Sequence, residues 1–538
     1  MTGVRIGVDV GGTNTDAVVM AGPALLGWAK TPTTADVTGG IIASVREALA
    51  RAETAPSAVR AVMLGTTHFT NAVVERRRLE PTTAVRLGLP ATASVPPFAD
   101  WPDDLRAAID GHGYLAHGGY EYDGRPITEL DEAELRQIAA QIEARGSRAL
   151  AICAVFSPIR PDLEQQAAAI FQDAIPHIQV SLSHEIGRLG LLERENACIL
   201  NACLSGLAAT TVAAIGSALH ELQLDAPVYL SQNDGTLMSA EFARRYPVLT
   251  FASGPTNSMR GAAYLSGLKD AVVIDIGGTT SDVGALVGGF PREATLAVEV
   301  GGVRTNFRMP DLLTLGLGGG SHVRVTPAAP ARGRGQSAAG PAVLPDGRSL
   351  TIGPDSVGYQ LTERAVVFGG SDLTATDMAV AAGLASLGNP ARLTSEQRSL
   401  APAVLAEIRR RLADAIDRVK TSAADVPVVL VGGGSILVDG LLPGASEVIR
   451  PDHFEVANAI GAAIAQVSGE VDQVHSLERA TRAEVMARAH DDAAARAVAA
   501  GADPATIETV EAEDVPLAYL PGSATRVRVK VVGDLSYE

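Results

Sequence analysis

The chain carries the same polar turn twice. One apolar strand runs through Asp9 into the stretch "VDVGGTNTDAVV", and a second runs through Asp275 into "DIGGTTSDVGAL". In both copies an acid, two glycines, a threonine and a second acid follow one another at the same spacing. A plain hairpin needs only one or two turn residues, so this many polar groups in a fixed order indicate a ligand. Two copies predict two similar half-molecules that face something they share.

Length and composition favour an α/β protein with more than one domain. The 538 residues are too many for one core, so we expect two or three domains. The 55 glycines and the aromatic content of 4% are typical of an Ala/Val/Gly-rich α/β chain. A net charge of −17 without basic runs argues against nucleic acid or an anionic membrane as a partner. The three cysteines, Cys153, Cys198 and Cys203, are interpreted as small buried residues.

The start of the chain and its apolar segments bear on its location. The first residues lead directly into a strand, which leaves no room for the charged and apolar regions of a signal peptide. The sequence has no uninterrupted apolar run of about 18 residues, so no membrane span is predicted. Together these features predict a cytoplasmic protein.

Strand patterns alternate with helical ones along the chain, which predicts mostly parallel or mixed sheets covered by helices. One long helical segment is expected from "LLERENACILNACLSGLAATTVAAIGSALHEL". We predict an N-terminal lobe over 1–195 and a second lobe over 196–472, with a hairpin insertion near 289–370. Inside this insertion, the Pro-, Gly- and Ala-rich stretch 326–349 is expected to be exposed. Residues 473–538 are predicted to form a small α+β domain at the C-terminus.

The two glycine turns predict a phosphate site. Glycine lets backbone N–H groups point at a ligand, and threonine hydroxyls add neutral donors, so such a nest suits phosphate oxygens. The first nest consists of Gly11, Gly12, Thr13, Asn14 and Thr15, and the second of Gly277, Gly278, Thr279 and Thr280. No G-x-x-x-x-G-K-[ST] pattern is present, so the site is not a P-loop.

The acids beside these turns cannot touch phosphate directly, because like charges repel. Asp9 and Asp275 are therefore predicted to hold Mg²⁺ or its waters, and Asp16 and Asp282 to orient waters or a nucleophile. A third glycine turn follows the strand in "VVLVGGGSILV" and offers a bare backbone edge for the adenine and ribose of ATP. It comprises Gly432, Gly433, Gly434 and Ser435.

Two phosphate hairpins followed by a glycine-rich nucleotide turn resemble the actin, sugar-kinase and Hsp70 ATPase superfamily. Within it, the chain resembles the A-type subunit of the hydantoinase/oxoprolinase family, and the resemblance covers nearly the whole chain. It rests on the segments "GTTHFTNAVVERR", "GGYEYDGRPI", "SLSHEIG", "QNDGTLM", "FASGPTNSMRGA", "DIGGTTSDV", "LGLGGGS", "TATD" and "VANAIGAAIA". The resemblance implies a two-lobed α/β fold of the actin/sugar-kinase (ribonuclease-H-like) type.

The resemblance also implies an activity. Family members couple ATP cleavage to the activation of an amide or carbonyl oxygen, commonly with a separate B-type subunit. We therefore expect an ATP- and Mg²⁺-dependent hydrolase subunit that activates a cyclic amide of hydantoin, oxoproline or lactam type for ring opening, in a homo- or hetero-oligomer. The alternatives are an ATP-dependent carboxylase acting on a ketone and a small-molecule kinase.

Two further segments carry candidate catalytic or substrate residues. Thr66, Thr67, His68 and Asn71 follow a strand and are predicted to line the substrate or phosphate site; the alternative for Thr67 is to cap the next helix. Near the glycine run "LGLGGGS" the candidates are Asp311, Gly318, Gly319 and Ser321. Long A-type members tend to carry Asp-x-His before this run, whereas this chain has Leu313 in the histidine position. The C-terminal part is also short, as in short-form members.

Overall fold

A computed structural model describes residues 3–33, 37–294, 298–306, 309–327, 342–477, 480–517 and 524–536. The strands are β1 (Val4–Val10), β2 (Asn14–Ala21), β3 (Ala24–Pro32), β4 (Val59–Thr66), β5 (Thr82–Leu89), β6 (His112–His117), β7 (Ala149–Ala154), β8 (Gln179–Leu182), β9 (Val228–Ser231), β10 (Leu237–Ser239), β11 (Ala271–Ile276), β12 (Ser281–Val287), β13 (Phe290–Pro291), β14 (Val298–Val300), β15 (Val303–Thr305), β16 (Leu312–Leu315), β17 (Ser321–Thr326), β18 (Ala342–Val343), β19 (Ser349–Ser356), β20 (Val426–Val431), β21 (Ala445–Ile449), β22 (Val467–Ser476), β23 (Glu508–Pro516) and β24 (Ala524–Gly533).

The α-helices are α1 (Val37–Arg51), α2 (His68–Glu75), α3 (Asp103–Ala108), α4 (Glu132–Arg145), α5 (Asp162–Ala174), α6 (Leu191–Cys203), α7 (Ser205–Glu221), α8 (Ala240–Arg245), α9 (Ser253–Ser266), α10 (Leu361–Arg364), α11 (Ala375–Ala381), α12 (Ser395–Ser399), α13 (Ala401–Val419), α14 (Ala457–Ile464) and α15 (Arg482–Ala499).

The chain divides into two compact units, and each is built from segments that are distant in sequence. Unit 1 contains 1–65, 254–293 and 310–464, whereas unit 2 contains 66–253, 294–309 and 465–538. The predicted domains are contiguous, at 1–195, 196–472 and 473–538, and these boundaries stay a prediction.

Unit 1 contains a small sheet of order β17-β19-β18 and two larger sheets, each of which has one of the repeated turns at the end of a hairpin. In the first of the larger sheets, the strand order is β4-β1-β2-β3, and in the second it is β13-β12-β11-β20-β21. Strands β11, β20 and β21 run parallel, as the alternation of strands and helices predicts. Helix α13 buries an apolar stripe of Val404, Ile408 and Leu412 in the core that also contains residues of β11, β12 and β20.

A close approach of backbone fixes the first sheet against helix α14. A Cβ on Gly7 of β1 would lie 2.7 Å from Cβ of Ala463, and well inside contact distance of the carbonyl oxygen of Ala459. Val18 and Met20 of β2 pack against the same helix and are fully buried. The small residues of "VANAIGAAIA" therefore let a helix near the end of unit 1 lie directly on the strand that carries Asp9.

Unit 2 combines a parallel sheet with a mixed one, in which β10 and β22 run parallel and the other pairs run antiparallel. Its four-stranded sheet has the order β6-β5-β7-β8, with all pairs parallel, and a second sheet has the order β23-β24-β22-β10-β9 within this unit. Arg86 of β5 is fully buried and donates from Nε and Nη2 to the carboxylate of Glu195, both at 2.6 Å. A bidentate pair of this kind ties the sheet to α6, because removing either partner would leave a buried charge uncompensated.

Several sequence-based expectations can be compared with these elements. The long helical segment is two helices, α6 and α7, which meet at Leu204 with a bend of 51°. The predicted C-terminal helix and strands are present as α15, β23 and β24. Strand β24 pairs along its whole length with β22, so the C-terminal strands extend a sheet that begins before residue 473. Most of the Pro- and Gly-rich stretch 326–349 lies outside the described residues.

The interpretation of the cysteines is confirmed: Cys153, Cys198 and Cys203 are all buried and form no disulfide. In the described part of the chain, no single helix has the length and apolar character needed to cross a membrane. The bent pair of α6 and α7 passes that test together, by length and composition only. Most of α6 is buried in the core of unit 2.

Candidate functional site

The two repeated turns have the same local geometry. In the first hairpin the N–H of Gly11 donates to the carbonyl of Asn14 at 3.0 Å, and in the second the N–H of Gly277 donates to the carbonyl of Thr280 at 2.9 Å. The sequence repeat is therefore a structural repeat at the level of individual hydrogen bonds.

The tips of the two hairpins lie close together. A Cβ placed on Gly278 would be 3.4 Å from Oγ1 of Thr13. A Cβ on Gly12 would meet no atom within 4 Å, so the first turn borders open space. The tips of both turns thus lie side by side, with the first bordering open space, as an anion nest formed by both turns would require.

Asp9 lies at the end of β1 and is only 4% exposed. Asn458 of α14 donates to its Oδ2 at 3.0 Å, and Asn257 of α9 donates to its Oδ1 at 3.4 Å. The pKa of Asp9 is raised to about 6, mainly by burial and by the neighbouring Asp16 carboxylate, whereas the hydrogen bonds from Asn257 and Asn458 lower it.

Asp16 faces Asp9 across the first hairpin and has different partners. The ammonium group of Lys30 donates to both Asp16 oxygens at 2.8 Å, and the amide of Asn458 donates to Oδ2 at 2.8 Å. Asp16 is therefore a paired carboxylate, whereas Asp9 is bonded to neutral amides.

The second hairpin repeats the pairing of acids. Asp275 faces Asp282 across the ladder. Burial raises the pKa of Asp275, although a hydrogen bond from Ser258 lowers it. Burial also raises the pKa of Asp282 to about 6, against a 2.5 Å hydrogen bond from the hydroxyl of Thr314. Each hairpin thus contains a buried or partly buried carboxylate with a raised pKa. A bound cation would stabilise the charged form of that carboxylate.

The third glycine turn lies beside the second hairpin. A Cβ on Gly432, whose φ is +81°, would lie well inside contact distance of Asp275 Oδ1. A Cβ on Gly434 would lie 2.7 Å from the carbonyl oxygen of Gly277, but one on Gly433 would meet no atom within 4 Å. The turn is therefore packed on the hairpin on one side and open on the other, at Gly433.

Two residues that are predicted to bind the nucleotide, one in the first nest and one in the third glycine turn, are fully buried. Thr15 is fully buried, and its hydroxyl lies 3.3 Å from that of Thr33. Ser435 is also fully buried, and its Oγ has no hydrogen-bond partner among the described residues. The remaining nest residues, Asn14, Thr279 and Thr280, are partly or fully exposed.

The run "LGLGGGS" packs against the turn of the second hairpin and is hydrogen-bonded to it. The N–H of Gly319 donates to the carbonyl of Gly277 at 2.9 Å, and a Cβ on Gly318 would lie 2.6 Å from the backbone of Thr279. Ser321 is fully buried, and its Oγ accepts from the N–H of Gly318 at 2.8 Å. A substrate role for Gly318, Gly319 and Ser321 stays a prediction, and their observed contacts support the hairpin.

Asp311 forms an ion pair on the surface of unit 1. Nη2 of Arg292 donates to its Oδ2 at 2.6 Å, and the Asp311 side chain is 48% exposed. The neighbouring Leu313 lies on β16, which pairs with β12 of the second hairpin. A catalytic role for Asp311 stays a prediction.

The remaining candidates belong to unit 2, at the start of α2. Thr66 is buried, and its Oγ1 accepts from the N–H of His68 at 3.1 Å. Thr67 occupies the N-cap position, but its hydroxyl makes no capping bond and instead accepts from Asn71 at 3.4 Å. Burial and the adjacent Arg78 lower the pKa of His68. The capping role considered for Thr67 is therefore absent, and substrate roles for these residues stay predictions.

Comparisons with known proteins assign the chain to a family. Residues 5–175 match the model of the hydantoinase/oxoprolinase N-terminal region, and residues 194–426 match the hydantoinase/oxoprolinase model. The chain belongs to the hydantoinase/oxoprolinase family. The family resemblance seen in the sequence is thereby confirmed.

Two curated proteins are similar to the chain. It is 25% identical over 508 residues to the caprolactamase subunit alpha of Pseudomonas jessenii, an alignment that covers 88% of this chain and 67% of that subunit. It is 26% identical over 269 residues to the acetophenone carboxylase gamma subunit of Aromatoleum aromaticum, covering 48% of this chain and 34% of that subunit. Both relatives are named as subunits.

Two solved structures show the fold. The ATP-dependent caprolactamase from Pseudomonas jessenii superposes with a TM-score of 0.75 at 19% identity, over 99% of this chain and 88% of that one. Nucleotide-free acetone carboxylase superposes with a TM-score of 0.69 at 17% identity, over 100% of this chain and 88% of that one. These matches confirm the predicted α/β fold of the actin-like ATPase type.

Sequence reasoning missed four residues that hold the acids of this family member. They are Lys30, Asn257, Thr314 and Asn458. Lys30 could have been suspected, because it lies on β3, the strand that follows the first hairpin and pairs with β2. The two asparagines lie in the family segments "FASGPTNSMRGA" and "VANAIGAAIA", but nothing in these segments connects them with the acids of the first hairpin.

The donor set suits a divalent cation bound together with phosphate. Mg²⁺ usually takes one or two protein carboxylates and completes its shell with water and phosphate oxygens. Among the described residues, no group of three or more His, Cys, Asp or Glu side chains could hold a metal alone. Asp9 and Asp275, whose pKa values are both raised, match the one or two carboxylates that Mg²⁺ takes from a protein when water and phosphate complete its shell.

A substitution at Gly433 tests the nucleotide turn. Its Cβ would enter open space, so Gly433→Val should fold normally and fill the space where adenine or ribose is predicted to lie. We expect ADP affinity to fall by about tenfold, with a smaller effect on the rate at saturating ATP, because nucleotide contacts rather than phosphate chemistry are lost. Calorimetric titration with ADP measures this, and Gly433→Ala should lie between the two. Wild-type affinity in both variants would show that the turn is only structural.

Proposed function

We propose that this chain is an ATP-using enzyme subunit that phosphorylates the carbonyl oxygen of a cyclic amide and so activates it for ring opening. The observation that carries the proposal is the pair of glycine hairpins, each with a buried or partly buried acid, Asp9 or Asp275, at the end of its first strand. Support also comes from the alignment over 88% of this chain with a caprolactamase subunit.

Each part of the site has a task in this proposal. The backbone N–H groups and hydroxyls of the two turns bind the phosphate oxygens, and the open side of Gly433 receives the nucleoside. Asp9 and Asp275 hold Mg²⁺, which neutralises charge on the phosphates when it is bound. The protein contributes mainly position and electrostatic stabilisation, so no covalent nucleophile is needed.

The reaction balances with one ATP for each ring opened. The amide oxygen forms a bond to the γ-phosphorus while the bond between that phosphorus and ADP breaks, and the ring N–H loses its proton. Water then adds to the activated carbon, and the ring C–N bond breaks as the nitrogen takes up a proton. A second water releases phosphate and leaves the open-chain acid. Activation is needed because the resonance of an amide makes its carbonyl a poor electrophile.

The substrate would be bound by residues outside the phosphate turns. Thr66, Thr67, His68 and Asn71 carry hydroxyl, imidazole and amide groups at one helix start and suit the polar edge of a lactam or hydantoin. His68 is the candidate base among them, because its lowered pKa keeps the imidazole neutral near pH 7.

We further propose that ring opening requires a B-type partner subunit. The hydrolytic steps need a positioned water and a base, and the relatives named caprolactamase and acetophenone carboxylase are described as subunits. The isolated chain should therefore release ADP slowly, whereas the chain co-expressed with the proteins encoded beside its gene should couple about one ADP to each product.

The experiment titrates lactams and hydantoins against the chain, with and without the partner, and follows ADP and the opened product together. The matched control is the same complex carrying Asp275→Asn, which should lose both products in parallel. Efficient ring opening by the chain alone, or product formation without ATP, would contradict this division of labour.

A carboxylase is the second candidate, because 48% of the chain aligns with an acetophenone carboxylase subunit. In that reaction a phosphorylated enol of a ketone attacks carboxyphosphate or CO₂. ADP release that depends on both a ketone and bicarbonate, and not on any cyclic amide, would favour it. Accumulation of a stable phosphorylated substrate would instead indicate a small-molecule kinase.

A further inference from the structure

One amide side chain connects the two acids of the first hairpin. Nδ2 of Asn458 donates to Oδ2 of Asp9 at 3.0 Å and to Oδ2 of Asp16 at 2.8 Å. Its amide oxygen accepts from the N–H of Ala459 at 2.8 Å, which fixes the orientation of the amide. Because an asparagine amide has two N–H donors, both are used by this bridge.

The two acids differ in how their charge is balanced. The ammonium group of Lys30 donates to both oxygens of Asp16 and to the carbonyl of Glu455 at 3.0 Å, so its three donors are all used. Asp9 receives hydrogen bonds from Asn458 and Asn257, which are neutral. Among the described residues, no lysine or arginine is hydrogen-bonded to Asp9.

The helices that carry the two asparagines are locked together. Where α9 crosses α14, a Cβ on Gly461 would overlap the carbonyl oxygen of Asn257, and a Cβ on Gly261 would overlap that of Ala457. Such a close crossing leaves little freedom for either helix to shift. Asn458 therefore projects at Asp9 from a rigid element, as a preorganised site requires.

We propose that Asn458 is a positioning residue, which tethers the carboxylate of Asp9 to the neutralised Asp16–Lys30 pair. Two adjacent carboxylates repel each other, and a neutral amide that donates to both fixes their separation without adding a charge. Asp16 serves as the anchor, and Asp9 is the acid whose charge remains for the divalent cation of the nucleotide. This inference rests on the proposed use of ATP with Mg²⁺.

The test replaces Asn458 with leucine, which has a similar size and no donors. We expect the affinity for ADP in the presence of Mg²⁺, measured by calorimetry, to fall about tenfold, because one charge-assisted hydrogen bond to Asp9 is lost. With EDTA in place of Mg²⁺, ADP affinity should change less than twofold. Asn458→Ala serves as a second variant if leucine is not accommodated, and thermal unfolding verifies that each variant is folded.

The matched control is Asn201→Leu in α6 of unit 2. Asn201 is also a buried helical asparagine that donates twice, to Ser181 Oγ at 3.0 Å and to the carbonyl of Arg245 at 2.9 Å. Its loss should lower stability and leave the Mg²⁺-dependent ADP affinity unchanged. In an Asp9→Asn background, Asn458→Leu should add less than a twofold effect, because Asn458 acts through Asp9.

The outcomes separate this inference from the proposed function. Tight Mg²⁺–ADP binding by the wild type that is unchanged in Asn458→Leu would overturn the positioning role alone. An equal loss with EDTA, or an additive loss in the Asp9→Asn background, would show a structural role and also overturn it. A wild-type chain that binds no ADP would overturn the proposed function and this inference with it.

Discussion

Replacing Asp9 with asparagine should reduce ATP hydrolysis by at least about 10²-fold while the protein stays folded, and Asp275→Asn should do the same. Losing a preorganised electrostatic contact to the phosphate site typically costs this much or more. Asp9 is buried at the end of β1 and hydrogen-bonded to two neutral amides, so an amide at position 9 removes negative charge with little change of shape. ADP release at saturating Mg²⁺–ATP measures the effect.

The control for these variants is Asp270→Asn. Asp270 directly precedes β11, the strand that contains Asp275, but it is exposed and accepts a hydrogen bond from the N–H of Gly288 at 3.1 Å. This variant should keep wild-type turnover. Normal ATP hydrolysis in a folded Asp9→Asn or Asp275→Asn protein would remove that residue from the proposed metal site.

Adding a single methyl group at Gly65 should be nearly as damaging. A Cβ there would lie well inside contact distance of both Asp9 Oδ1 and Asn257 Nδ2. The φ of Gly65 is one that alanine can adopt, so the backbone is not strained. The added methyl group would instead displace the carboxylate of Asp9. Displacing a group in a phosphoryl-transfer site by about 1 Å can cost on the order of 10²-fold in rate. We expect Gly65→Ala to lose activity by about that factor, in a kinetic assay of ADP release.

Gly216→Ala is the matched control for Gly65→Ala. Gly216 lies in helix α7, and a Cβ there would meet no atom within 4 Å. Alanine should raise the free energy of unfolding by up to about 1 kcal/mol, because glycine is a poor helix former, and should leave turnover unchanged. Equal activity of Gly65→Ala and the wild type would mean that Asp9 can move without loss, contrary to the proposed site.

The two sites of substitution separate charge from position. Asp9→Asn keeps the shape of the side chain and removes its charge, whereas Gly65→Ala keeps the charge and moves the group. If the proposed metal site is correct, higher Mg²⁺ concentrations should restore part of the activity of Gly65→Ala and little of that of Asp9→Asn. Titrating Mg²⁺ at fixed ATP measures this difference.

The sequence by itself determined the repeated hairpins and the class of fold. A strand that runs into glycine, hydroxyl and acid side chains is a local pattern, because a hairpin and its turn are made by neighbouring residues. The match of Asp9 with Asp16 and of Asp275 with Asp282 across their ladders follows from the short turns alone. The family segments, spread along the chain, were equally visible in the sequence.

Only the tertiary structure decided how the acids are held. Counting from the turn that pairs Ala21 with Ala24 would place Asp16 opposite Ala29, but a bulge between Val19 and Met20 shifts the register and brings Lys30 opposite Asp16. A bulge inserts one residue into one strand, and its position cannot be predicted reliably from the residue types in the sequence.

Long-range packing decided the rest. Asn458 and Asn257 reach Asp9 because two helices cross at glycines whose only visible feature in the sequence is their small size. The division into two units, each assembled from distant segments, and the break between α6 and α7 at Leu204 arise in the same way. Contacts between residues hundreds of positions apart depend on the complete packing of the chain, whereas turns and strands depend on residues that are adjacent in it.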